Sequence, residues 1–339
     1  MPKIDVIEDE ELGVLEDKTE ALTLHSKRIQ RIRKKQTRKA MKVKASPQGF
    51  LNLLPYELVM DILTLLKPSD LFRLQRASKP FRNFVINEEA RLSRAVSSWR
   101  YSCLEKCFRL PVLLANIDPA IHPLLQIPER QEIMTIHKKP YQHIRSPEPT
   151  EVCTCLTCTL RWSALAVIVD FAHWQEHLDK GEPIPIIPRG KSAQWNQIMI
   201  AAHAEIVRKA LYSPLWHARL LEVHLESTTR SISRNAANKG NKRRRFRMTE
   251  KDVNSGTDAF LARSGPPSFD IPYHRDNYYL LETFMPNRSW SNDLFRWLYV
   301  PAEQHDRDIE FVVLWARRRR RAEQQAQSEA REQASAIQL

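Results

Sequence analysis

The stretch that most constrains this chain runs from Leu53 to Leu92 and reads LLPYELVMDILTLLKPSDLFRLQRASKPFRNFVINEEARL. Leu58, Ile62, Leu63, Leu65 and Leu66 follow a helical i, i+4 rhythm. Pro55 stands where proline helps a helix start, because the N–H it lacks has no partner there. Lys67-Pro68-Ser69-Asp70 ends this helix and begins another, since proline disfavours helix at the residue before it. Ser69 or Asp70 is expected to cap the new helix by accepting from its free N–H groups. That second short helix carries Leu71, Leu74 and Ala77, and a third follows Lys79-Pro80 with Phe81, Phe84 and Val85. Three helices this short cannot bury so much apolar surface among themselves. The surplus must face something else.

This stretch resembles an F-box. The resemblance lies on Leu54-Pro55, Glu57, Ile62-Leu63, Leu66, Asp70-Leu71, Leu74, Ala77 and Phe81, which fall in register with the motif. Ala77 and Phe81 depart from the commoner Val and Trp but stay apolar. The resemblance implies a substrate receptor. An F-box docks on a Skp-type adaptor, which links it to a cullin and a RING protein that recruits a ubiquitin-conjugating enzyme, while the rest of the chain selects a client. By that carry-over Leu54, Pro55, Ile62, Leu66, Leu71, Leu74 and Phe81 form the adaptor-facing surface. No residue of such a receptor performs the chemistry, so no catalytic site is expected. An apolar helix face set into a groove gains most from a few buried anchors.

Seven glycines in 339 residues argue against a Gly-rich phosphate loop or a many-turned β fold, since average usage is roughly 7%. With 42% hydrophobic residues the chain can build a core, and the expected class is mainly α. No uncharged apolar run reaches the roughly eighteen residues a membrane span needs. MPKIDVIEDEEL at the N-terminus is acidic and lacks the apolar region of a secretory signal. Five cysteines, an odd number, without an export signal point to reduced thiols or metal rather than disulfides.

Composition divides the chain further. Residues 1–45 read as a solvated head, acidic and then basic. The F-box occupies 50–95, and its last helix is expected to continue through Arg91–Arg109 on the spacing of Leu92, Val96, Trp99 and Cys103. Residues 96–150 comprise that helix and a Pro-rich connector. Residues 151–228 read as a helical domain with a stripe of Trp195, Ile198, Met199, Ala202, Ile206 and Ala210. Residues 229–268 have the composition of a disordered basic insertion. Residues 271–315 are rich in aromatics, from Tyr278 and Tyr279 to Phe311 and Trp315, which serve either as core or as the lining of a client groove. Residues 316–339 form an Arg-rich, polar, helical tail. No period of 20–50 residues recurs, so the usual repeat modules are absent. The segments VDFAHWQEHLDKGEPIPIIPRG and SPLWHARLLEVHLESTTRSISR resemble the C-terminal region of a group of filamentous-fungal F-box proteins, which implies a fungal origin.

Two constellations carry possible chemistry. Cys155-x2-Cys158-x14-His173-x3-His177 has the letter spacing of a Cys2His2 zinc site. Such a site would be structural, because nothing nearby resembles an open catalytic position. The competing reading makes the cysteines small buried hydrophobes and sets the histidines on a helix face, since the residues between read as a mostly apolar run. Basic clusters lie at Lys27–Lys44, at Lys242, Arg243, Arg244, Arg245 and Arg247, and at Arg317–Arg321, in a chain of net charge +13. They read as nuclear import signals, as a phosphate-binding surface for nucleic acid, or as solubilising segments. The favoured expectation is a nuclear and cytoplasmic receptor, with a basic nuclear protein that binds nucleic acid as the rival.

Overall fold

The computed structural model describes residues 31–37, 54–134, 143–185, 187, 191–237, 248–263 and 284–337. The chain divides into two compact units, Met1–Leu54 and Pro55–Leu339. In the first, residues 31–37 form a two-turn, exposed helix within the first basic cluster. The rest of the expected head lies outside the described residues, as does the cluster at 242–247.

The second unit is helical, with one small hairpin, as expected for a mainly α chain with an N-terminal F-box. Its first four helices are α1 (Tyr56–Thr64), α2 (Pro68–Ala77), α3 (Lys79–Asn87) and α4 (Glu89–Arg100). A break at Tyr101 separates α4 from α5 (Ser102–Cys107). The expected continuous helix over 91–109 is therefore corrected. The break is made by Asp258, whose carboxylate accepts from the backbone N–H groups of Cys103 and Leu104, both at 2.8 Å, and so caps a new helix. Asp258 is fully buried, and desolvation pushes its carboxyl up to about 6.

The Pro-rich connector folds as 3-10 turns at Leu114–Asn116 and Pro119–Ile121, then α6 (His122–Leu125) and α7 (Pro128–Met134). Next come α8 (Leu156–His173), α9 (Gln175–Lys180), α10 (Gln194–Tyr212) and α11 (Pro214–Ala237). Residues 161 to 171 of α8 are buried at every position. A helix with apolar residues on every side has no face to offer water, so it must be surrounded. α10, α11 and the C-terminal helix α13 (Gln304–Ile337) pack against it. α11 also touches α2, α4 and α5, which joins the F-box stretch to the C-terminal helices.

Three sequence expectations change here. The buried stripe of α10 is Asn196, Met199, Ile200, His203, Val207 and Ala210, whereas Trp195, Ile198 and Ala202 face outward. The stripe is rotated because Asn196 and His203, polar by type, occupy the inner face. Residues 229–237 complete α11, and 248–263 are ordered, with α12 (Glu250–Ser255) closed at its start by a reciprocal Thr249–Asp252 capping box. Phe260 and Leu261, both buried, anchor 248–263 in the main core, so within that segment a few apolar residues outweigh many polar ones; residues 238–247 and 264–268 of the expected insertion lie outside the described residues. The third is a hairpin of β1 (Arg288–Ser291) and β2 (Arg296–Tyr299), which pairs Trp290 with Trp297. Phe284 and Trp297 are core, while Phe295 and Phe311 are exposed; Tyr278 and Tyr279 lie outside the described residues. Among the described residues no helix is long and apolar enough to cross a membrane.

Several polar groups inside this core meet partners. Asp170 of α8 accepts from Trp174 Nε1 at 3.1 Å and lies 3.8 Å from His143 Nε2 and 4.0 Å from His203 Nδ1. His224 of α11 sits against the rings of Phe108, Phe171 and Phe284. Its Nε2 lies 2.7 Å from the Phe284 carbonyl, which can only accept, so Nε2 carries the proton. Burial drives this imidazole down to about 4 from an ordinary 6.5. Its neutral form therefore stabilises the fold fully above about pH 6.5, and that stability is lost as pH falls through about 4. Denaturant unfolding across this interval should show wild type losing more stability than a His224→Gln variant, whose amide can still donate to Phe284 but does not titrate.

Candidate docking face and cysteine–histidine cluster

Pro55 occupies the N-cap of α1 with extended backbone, and its carbonyl accepts from Val59 N–H. Val59, Met60 and Leu63 turn inward, and α1 packs on α4. Leu58, Ile62 and Leu65 take the opposite face at i, i+4 and i+7, and are 49%, 43% and 65% exposed. An unpaired helical stripe of three large aliphatic side chains is a docking surface in form. The end of α1 is held from α4. Trp99 Nε1 donates to the Thr64 carbonyl at 3.3 Å, and Arg100 donates to the Leu65 carbonyl. A cation at a helix C-terminus meets the negative end of the dipole.

The sequence-predicted adaptor residues do not all lie on the surface. Pro55 and Ile62 are exposed, and Leu54, Leu66, Leu74 and Phe81 are half-buried. Leu71 is 0% exposed, so its place in the adaptor-facing set is corrected: it is core. It sits on the inward side of a helix that packs against α11, while the motif pattern cannot tell inward from outward leucines. Leu58 and Leu65 belong to the exposed stripe although the motif does not point to them. The signal is present in the sequence, because both share the i, i+4, i+7 line with Ile62.

The start of α2 is also held from a distance. Its N-cap is Lys67, and no side chain caps it locally. Glu222 of α11 fills that role, its carboxylate accepting from Ser69 N–H at 2.9 Å and Ser69 Oγ at 2.6 Å. The expected caps are thus corrected: Ser69 donates to a buried acid 153 residues away, and Asp70 pairs with Arg73 on the surface. Glu222 is buried, with Arg219 at 3.0 Å. Phe72 of α2 packs on Trp216 of α11, their ring centres 4.8 Å apart.

The cysteine cluster differs from its predicted form. Cys155 and Cys158 belong to it, but His173 and His177 do not. α8 carries His173 eighteen residues beyond Cys155, about 27 Å along the axis. There, His173 and His177 pack edge-on against Trp174, at 4.8 and 4.9 Å. In their place stand Cys153 and His305, and the ligand-type atoms of Cys153, Cys155, Cys158 and His305 all lie within 4.8 Å of one another. All four residues are buried. His305 Nδ1 lies 3.4 Å from Cys155 Sγ and 3.3 Å from Cys158 Sγ. Each sulfur also accepts one backbone amide: Cys155 N–H on Cys153, Cys158 N–H on Cys155, and Val112 N–H on Cys158. Hydrogen bonds from the Cys155 and Cys158 thiols draw Cys153 down to about 4, while Cys158, which holds its proton in that exchange, is pushed far up. His305 is invisible in sequence because it lies 147 residues beyond Cys158 and belongs to no spaced motif.

The basic residues are not gathered into a described face. Arg317–Arg321 fall on α13, where five successive residues spread around the axis at about 100° each. Arg319 is committed to Glu129 and Glu323.

Replacing Glu222 with Ala should lower the free energy of unfolding by about 2–3 kcal/mol, since a buried charge-assisted pair and the cap of α2 go together. Ser69→Ala should cost about 1 kcal/mol, and Asp70→Ala almost nothing. Equal losses at Ser69 and Asp70 in urea titrations would contradict the long-range cap.

No curated protein and no solved structure matches the chain. The F-box domain family matches residues 51–90, the stretch that contains α1, α2 and α3. Residues 51–90 of this chain are an F-box domain.

Proposed function

We propose that this protein is a non-enzymatic substrate receptor of a Skp–cullin ubiquitin ligase. The F-box domain supports binding to a Skp-type adaptor and, through it, a cullin. The observation that carries the reading is the exposed stripe of Leu58, Ile62 and Leu65 on a helix whose other face is already buried. Full burial of such a side chain is favourable by about 1.5–3 kcal/mol. Three anchors, each already partly shielded, therefore supply about 2–4 kcal/mol, a part of the about 8–12 kcal/mol of a micromolar to nanomolar interface. Pro55, Leu66, Leu74 and Phe81 belong to the same proposed adaptor surface, as does Leu54 on its place in the motif, and Leu71 supports it from within.

The helical remainder of Pro55–Leu339 is the proposed client-binding part. Among the described residues outside the F-box and the hairpin, Phe311 and Leu314 on α13 and Ile198 and Tyr212 on α10 are exposed large apolar side chains. Nuclear import through Lys242, Arg243, Arg244, Arg245 and Arg247 belongs to the same proposal and rests on the sequence.

A binding assay with a purified Skp-type adaptor tests the reading. A Leu58→Asp/Ile62→Asp variant should bind at least about a hundredfold more weakly than wild type. Both positions are exposed, so the variant should keep its helical circular dichroism and thermal midpoint. Folded wild type that does not bind the adaptor would defeat the proposal.

A further inference from the structure

We propose that Cys153, Cys155, Cys158 and His305 bind one structural Zn2+ ion. This inference is independent of the receptor reading and uses a ligand set that joins two separate parts of the chain, residues 153–158 and His305. Cys153 follows the antiparallel bridge between Leu113 and Val152, Cys155 is the N-cap of α8, Cys158 is in its first turn, and His305 begins α13.

The distances fit one ion. Zinc bonds sulfur at about 2.3 Å and imidazole nitrogen at about 2.0–2.1 Å, so a tetrahedron has S–N edges near 3.5 Å and S–S edges near 3.8 Å. The two S–N separations here, 3.4 and 3.3 Å, already match those edges. All separations in the set lie within 4.8 Å, about 1 Å beyond the tetrahedral S–S edge. An iron–sulfur cluster would need a wider cage than these spacings provide.

The surroundings suit thiolates. Each sulfur accepts one amide N–H, and charge-assisted bonds of this kind stabilise sulfur in its ionised, ligating form. The first turn of an 18-residue helix points the positive end of its dipole at the group. Three thiolates around Zn2+ leave one net negative charge, and Arg130 is in place to balance it. Buried Arg130 donates to the carbonyls of Leu125 and Thr154 and to Thr154 Oγ1, beside Cys153 and Cys155. Three thiolate sulfurs packed this closely repel one another, and a cation among them offsets that repulsion. As plain apolar filling they would need neither an amide each nor a guanidinium beside them.

The second contact between the same two elements aligns the ligands. Asp308 accepts from Thr157 N–H at 2.7 Å, one helical turn after His305. Ile309, Val312 and Ala316 extend this inner face of α13. His305 is thus brought to α8 by a packed seam rather than by the metal alone.

Full-length protein purified without chelator should contain close to one zinc per chain by elemental analysis. Cobalt added to the metal-free chain should give the intense visible bands of tetrahedral, sulfur-rich coordination. His305→Ala and Cys158→Ser should each lower metal affinity at least a hundredfold, Arg130→Gln about tenfold, and Cys107→Ala not at all. Because ligand variants can also misfold, wild type provides a second readout: zinc should protect Cys153, Cys155 and Cys158 from alkylation, and chelation should expose them. Wild type that takes up neither zinc nor cobalt would overturn the proposal. So would octahedral cobalt spectra, or undiminished affinity in His305→Ala.

Discussion

The constraint on which the rest depends is the encirclement of α8. Eleven consecutive buried residues make it a helix with no solvent side, and its sequence includes Arg161, Ser163 and Asp170 among the apolar residues. Each polar group must then be answered from a neighbouring element. Arg161 donates to the carbonyls of Leu110 and Ala302, Trp162 to that of Arg145, and Asp170 accepts from Trp174. These bonds reach the connector and the approach to α13, so a single buried helix sets the positions of chain segments far from it in sequence.

The same logic joins the F-box domain to the helices C-terminal to it. A three-helix piece too small to bury its own leucines places one leucine face on α4 and α11 and leaves another in water. Leu71 and Leu58 are alike in type and opposite in role, the first core and the second surface. The difference comes from the partner helices, not from the motif.

Local features are therefore legible in the sequence, and long-range ones are not. Helix starts at Pro55 and Pro68, the mostly apolar run of α8 and the F-box register can be read because each is written in adjacent residues. Glu222 as the cap of α2, Asp258 as the cap of α5 and His305 beside the cysteines cannot. In each case the decisive group is more than a hundred residues away, and nothing in local spacing ranks it above the chain's other acids or histidines. His173 and His177 look better than His305 only because they are near in sequence. Eighteen residues are close as a loop and far as a rigid helix. The rotated stripe of α10 has another cause, since Asn196 and His203 are polar residues taken inward by the partners around them.

The clasp of Glu222 on Ser69 has a mechanical consequence. With α2 fixed to α11 by a buried carboxylate and by Phe72 on Trp216, no free hinge separates the F-box helices from the helices beyond them among the described residues of Pro55–Leu339. On the receptor reading, a client held by the helices packed on the F-box domain would sit at one distance and one angle from the ligase scaffold. Reach would then have to come from the client's own loose segments, and a client whose acceptor lysine is fixed in the wrong place would be held without being modified.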